Sequence, residues 1–503
     1  MIMYKKQITL GLLIALCSGL VFVFARGALI NREYPVQYIV FKDSGFYPKE
    51  IYIKRGTKVV FSSERGDFWP ASVPHPSHTV YPEFDPKRLV GGEESWSFVF
   101  DRIGTWLYHD HIKHEYAGKI IVVDNLDANS VTASVKDNCL SVPKDQKLSC
   151  WDRQLETVLV SAGLDAAFEA FKVLYNTESE VPKSCHEWGH ILGKAAYDLY
   201  KNKEEISFKK EMGFCGYGFF HSFLEKLIQD TGDFASARRW CVSLTDKITD
   251  PVIRPSVWRN CVHGVGHGTT ALLLEDQRNW NNFQKVADTG LGVCEKTFED
   301  KDLRDCYDGV FNELYLEVLN SNYGFNFQEF REKDDPFWYC RPQEDRHRES
   351  CYFEFVGIFY ILFDLDVSRA MQYAIKNVDD LDVRGPSVVA KLAADFIQFD
   401  IVNSEHSCNV KACRDIPKNL FDVCFGGIVN GFIQHGEPEN FHIRGISFCE
   451  EKYLSSQEKY LCYFKLFGQL SANYSPEKMK EVCNSIETEE KSICLSAIIN
   501  SRL

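Results

Sequence analysis

Five histidines crowd into one short stretch of this chain. His75 and His78 arrive as His75-Pro76-Ser77-His78, His109 and His111 as Tyr108-His109-Asp110-His111, and His114 follows closely. Imidazole nitrogen is a ligand for copper and zinc, and residues two apart on an extended strand project to one face. Two histidine-bearing segments separated by strand-like sequence are therefore equipped to close a metal site. His75, His78, His109, His111 and His114 are the candidate ligands, with Asp110 or Glu83 placed to orient one of them from behind.

A second group lies further along. His186-Glu187-Trp188-Gly189-His190 fits the pattern that sets two histidines on one helical face with a glutamate as base. That zinc-hydrolase reading needs a third ligand, for which Glu204, Glu205 and Glu211 are unranked candidates. His190, His221 and His267 also recur at nearly equivalent places in repeated segments. Convergence of His186, His190, His221, His263 and His267 on a second metal, zinc or copper, is thus another reading, with Glu187 and Glu225 as carboxylate partners. Ordinary packing of histidines between helices is the third.

The elements that must hold these residues differ between the two groups. From Tyr34 to Asp124, short alternating runs such as Glu50-Ile51-Tyr52-Ile53-Lys54 and Ser95-Trp96-Ser97-Phe98-Val99-Phe100 are separated by turns at Arg55-Gly56, Gly91-Gly92 and Ile103-Gly104. This texture predicts a small β-sandwich or barrel over 34–124. Residues 125–137 are polar and read as a linker. Residues 138–503 turn helical and repeat themselves: Cys215-Gly216-Tyr217-Gly218-Phe219-Phe220-His221 resembles Cys261-Val262-His263-Gly264-Val265-Gly266-His267. Weaker copies begin at Cys306 and Cys424.

Most cysteines have a partner at a short, nearly constant spacing: Cys139/Cys150, Cys294/Cys306, Cys340/Cys351, Cys413/Cys424, Cys449/Cys462 and Cys483/Cys494, with a longer Cys241/Cys261. Cys185/Cys215 would complete the set and leave Cys408 odd. Each pair reads as a staple across an αα-hairpin, worth about 3 kcal/mol for a loop of roughly 15 residues. The expected architecture is a solenoid-like, disulfide-stapled helical array.

The first domain resembles a cupredoxin. The resemblance is carried by Gly45-Phe46-Tyr47-Pro48, by Ile51-Tyr52-Ile53-Lys54-Arg55-Gly56-Thr57, by His78-Thr79-Val80, by Gly104-Thr105-Trp106-Leu107-Tyr108 and by Gly118-Lys119-Ile120-Ile121-Val122-Val123. It implies an all-β Greek-key sandwich and copper. Aligned on that family, Asp110 stands at the cysteine position, Lys113 at the histidine position and Tyr116 at the methionine position, so a blue-copper centre is not implied. Trp106-Leu107-Tyr108-His109-Asp110-His111 is instead similar to the Tyr-His-x-His strand of multicopper oxidases, where both histidines bind copper. Such a nitrogen-rich set suits Cu(II), and zinc is the competitor.

Bulk composition frames these sites. With 503 residues the chain is expected to form more than one domain, and 45% hydrophobic content supplies packed cores. A net charge of −14 argues against a nucleic-acid partner. Eighteen cysteines, most of them in regular pairs, point to an oxidising, extracytoplasmic compartment. Lys5 and Lys6 precede an apolar run from Ile8 to Ala25, so residues 1–30 are read as a single-pass signal-anchor in the cell membrane, a cleaved signal peptide being the alternative. The expected role is copper handling or electron transfer with a redox or metal-delivery protein as partner. The alternative is a metalloenzyme, either a copper oxidoreductase or the zinc hydrolase named above.

Overall fold

The computed structural model describes most of residues 36–500. Outside the described residues lie 1–35, 125, 127–134, 137, 140–141, 144–145, 179–180, 202–209, 250, 252, 334, 402–405, 437–439, 487–489 and 501–503. The expected anchor falls on these undescribed residues. Among the described residues, no helix is long and apolar enough to cross a membrane. The chain divides into two compact units, Met1–Leu126 and Asp127–Leu503.

The first unit is a sandwich of two four-stranded sheets. One sheet has β1 (Val36–Lys42), β2 (Gly45–Tyr47), β4 (Thr57–Ser63) and β6 (Trp96–Phe100) in the order β2-β1-β4-β6. The other has β3 (Glu50–Lys54), β5 (Pro70–Ser72), β7 (Gly104–Asp110) and β8 (Ala117–Val123) in the order β3-β8-β7-β5. Parallel pairings of β1 with β4 and of β3 with β8 lie beside antiparallel neighbours. The alternation read in the sequence is the reason these runs are strands. Thr57, Val59 and Phe61 of β4 point inward, while Lys58 and Val60 between them are only half-buried. Ile39, Phe61, Phe84, Phe100, Tyr108 and Ile120 are among the side chains that fill the space between the sheets.

Two features of this frame aim the histidines. Strand β5 pairs with β7 so that Ala71 lies opposite His109 and Pro70 opposite Asp110. Gly118 of β8 lies opposite Tyr108, where a Cβ would sit 2.4 Å from the phenol ring. Only glycine lets the fully buried Tyr108 lie flat across β8 just before β7 ends.

The second unit is α-helical. Its helices of eight or more residues are α1 (Lys147–Thr177), α2 (Cys185–Lys201), α3 (Gly218–Thr231), α4 (Phe234–Asp246), α5 (Ile253–Leu274), α6 (Phe283–Thr297), α7 (Leu303–Leu319) and α8 (Asp345–Phe355). They continue as α9 (Val367–Asn377), α10 (Leu381–Asp400), α11 (Ser407–Arg414), α12 (Lys418–Gln434), α13 (His442–Cys449), α14 (Ser456–Leu470), α15 (Pro476–Asn484) and α16 (Glu490–Asn500). Val135 is helical and buried, so this unit begins within the stretch read as linker.

Eight disulfides join the pairs expected from spacing, and Cys408 is unpaired and exposed. Helices α2, α3, α5, α7, α8, α10, α12, α14 and α16 pack in succession, and α4, α6, α9, α11, α13 and α15 each cover the inner helix that follows. Glycines permit the close inner contacts: a Cβ on Gly193 would meet the Phe219 carbonyl oxygen at 2.1 Å, and one on Gly309 the His263 carbonyl oxygen at 2.0 Å. The stack is not open, as a simple solenoid would be. Tight inner packing curls it, so that Tyr175 of α1 donates to the carbonyl of His435 beyond α12 at 2.5 Å, and Gln398 of α10 donates to the carbonyl of Lys183 at 3.3 Å.

Candidate metal centres

In the sandwich, His75, His78, His109 and His111 meet with one ring nitrogen each inside a 4.8 Å span. His109 comes from the end of β7 and His111 from just beyond it, their rings nearly parallel as the two-residue spacing requires. His75 and His78 come from the loop after β5. His75 Nδ1 is 3.3 Å from His109 Nε2, and His78 Nε2 is 3.0 Å from His111 Nδ1. His78 and His109 are buried, His111 is half-buried, and His75 is exposed at the rim. His114 is exposed and stacks on His75 with centroids 5.6 Å apart, outside the converging four.

A carboxylate not singled out in the sequence fixes this geometry. His78 Nδ1 donates to Asp85 Oδ2 at 2.7 Å, which leaves His78 Nε2 as a lone pair facing the cluster. Trp69 supports both sides: its indole N–H donates to Asp85 Oδ1 at 2.8 Å, and its main-chain N–H donates to Asp110 Oδ1 at 2.8 Å. The Trp69 carbonyl accepts from the His111 N–H at 2.8 Å while the indole lies against the His111 ring. Asp110 thus orients the loop through main-chain N–H groups of Trp69 and Lys113 rather than through a histidine. Glu83 pairs with Arg102 on the surface. In the sequence, Asp85 had no signal that set it apart from Glu83 in the same loop.

Electrostatics keep His109 and His111 neutral. Burial, reinforced by the surrounding histidines, pushes His109 down to about 4, and the same causes lower His111. Burial opposes ionisation of Asp85, but hydrogen bonds from His78 and Trp69 more than offset it and hold the carboxyl low. Four imidazoles, one backed by a carboxylate, fit a copper or zinc ion; with no thiolate among them, they do not fit a blue-copper ion.

Among the solved structures that match the chain, two cover 19% of it. One is the reduced state of an amicyanin mutant, 20% identical, covering 19% of this chain and 88% of that one, TM-score 0.16. The other is a reduced Cu(I) form of an amicyanin mutant at pH 4, 18% identical, with the same coverage and TM-score 0.14. No family model matches the chain, and no curated protein matches it.

In the helical unit the five histidines also come together, in two overlapping groups: His186, His190 and His221, and His221, His263 and His267. His186 and His190 share a face of α2 by their four-residue spacing, and His221 reaches them from α3. Gly218 makes this contact possible, since a Cβ there would strike the His186 carbonyl oxygen at 2.4 Å and the His190 ring at 2.9 Å. Glu187 is exposed, and its charge acts on His186. Glu225 accepts from Gln229 and sits in the field of His267 and Glu313, not beside His186 and His190. Glu211 is half-buried in the turn before α3, and Glu204 and Glu205 lie outside the described residues.

Proposed function

We propose that the sandwich binds copper through His75, His78, His109 and His111 and that the protein serves in copper handling. The observation that carries this reading is the convergence of four ring nitrogens, with His78 locked by Asp85. Bound copper would supply a one-electron couple and an exchangeable coordination position. The chain's own residues do the rest. Asp85 holds the Nδ1 proton of His78, burial keeps His109 unprotonated, Trp69 walls the His111 side, and exposed His75 is the ligand solvent and partners reach first. Without a thiolate, the donor set reorganises between oxidation states, which favours capture and delivery over fast electron transfer. The disulfides support an oxidising, extracytoplasmic setting, and the apolar run near the N-terminus supports attachment there to a membrane.

Copper titration followed by electron paramagnetic resonance tests the proposal. One Cu(II) with a nitrogen-rich type-2 spectrum, lost in a His109→Ala/His111→Ala chain, is the expected result. A spectrum unchanged by that double substitution overturns it.

A further inference from the structure

The two histidine groups of the helical unit are not equivalent. His267 is fully engaged: Nδ1 donates to Glu313 Oε2 at 2.7 Å and Nε2 donates to Asn312 Oδ1 at 2.6 Å. The Asn312 amide has only one orientation here, because its Nδ2 donates to Glu354 Oε2 at 2.5 Å. With protons on both ring nitrogens, His267 has no lone pair for a metal. His263 hydrogen-bonds the main chain of Asp305. The group containing His267 is therefore a polar packing arrangement.

The group of His186, His190 and His221 is the opposite case. His186 Nδ1 donates to the Cys215 carbonyl at 2.8 Å, so its Nε2 carries a lone pair. That carbonyl is aimed by three successive left-handed residues, Cys215, Gly216 and Tyr217, an arrangement costly for the two that have side chains. His186 Nε2 lies 3.1 Å from His190 Nε2, which lies 3.3 Å from His221 Nδ1. Three ring nitrogens thus crowd one point, where a single shared N–H is the most that protons can provide. Tetrahedral zinc–nitrogen bonds of about 2.0–2.1 Å put neighbouring nitrogens about 3.3 Å apart, close to the spacing found.

We infer that His186, His190 and His221 form a second metal centre, separate from the sandwich site, for a zinc-class divalent ion. Neutral imidazoles disfavour calcium and magnesium and suit zinc. Nδ1 bonding to a main-chain carbonyl is the usual way a ligating histidine is oriented. This inference stands apart from the copper reading, because each centre has its own ligands.

The test uses the full chain carrying His109→Ala/His111→Ala, which leaves the helical unit untouched. Cobalt(II) serves as an optical probe for zinc. The expected result is one tightly held cobalt with strong tetrahedral d–d absorption, displaced by zinc. Adding His190→Ala/His221→Ala should abolish it, while adding His267→Gln should leave it. Absence of tetrahedral cobalt from the double variant overturns the proposal and leaves packed histidines only, and so does cobalt that survives loss of His190 and His221. Loss of copper binding at the sandwich alone does not bear on it.

Discussion

At the scale of single residues, the sandwich site depends on side chains that never need to touch the metal. Asp85 fixes the tautomer and direction of His78, and Trp69 fixes Asp85 and the main chain at His111. Replacing Asp85 by Asn removes the negative acceptor while keeping the shape. Copper affinity should fall about 10–100-fold, as read by competition with a chelator of known affinity. His114→Ala in the same assay should leave affinity unchanged, since His114 only stacks on the rim. That His109 and His111 would face one side was legible, because residues two apart on a strand share a face. Asp85 was not, because a loop carries no periodicity to say which of its two carboxylates turns inward. The choice between metal binding and packing at His267 was not legible for a similar reason: its partners Asn312 and Glu313 lie on another helix, and only packing shows that both its nitrogens are occupied.

At the scale of elements, two contacts make sharp expectations. Gly118→Ala would drive a methyl into the Tyr108 ring, which is enclosed between the sheets. The ring cannot yield without moving core neighbours, so the sandwich should lose about 1–3 kcal/mol in urea unfolding. At α14, Glu458 closes a capping box with Ser455 and takes two hydrogen bonds from Arg414 of α11, each 2.8 Å. The Arg414 pairing, followed by the hydrogen bonds from Ser455, holds its carboxyl down at about 2. A carboxyl held low in the folded state contributes stability above its ordinary range near 4.3 and loses it as pH falls toward 2. Glu458→Gln should therefore cost about 1 kcal/mol at neutral pH, and the difference in unfolding midpoint should shrink to nothing near pH 2. The strands were readable from their alternation and the staples from cysteine spacing. Helix-to-helix registry was not, because it is set by glycines such as Gly193 and Gly309 meeting backbone many residues away.

At the scale of the whole molecule, the two units rest on different chemistry. Residues 36–124 contain no cysteine, whereas the helical unit carries all eight staples. Reduction and alkylation, followed by removal of reductant, should collapse the helical circular-dichroism signal and leave copper binding at the sandwich intact. Loss of both together would mean that the sandwich site needs the helical unit.

The staples also bear on how the chain is made. Read in order, the paired cysteines of the helical unit join consecutively, the first to the second and the third to the fourth, with no bond spanning another pair. A polypeptide threaded into an oxidising space from its N-terminus, and oxidised as each thiol arrives, reaches the native bonding pattern without shuffling. Among the described residues, Cys408 is the place where order of arrival misleads, because the next thiol to emerge is Cys413 on the same helix α11. On the folded helix those two positions, five residues apart, lie on different faces, so a bond between them does not fit the native chain and must be exchanged before Cys413 joins Cys424.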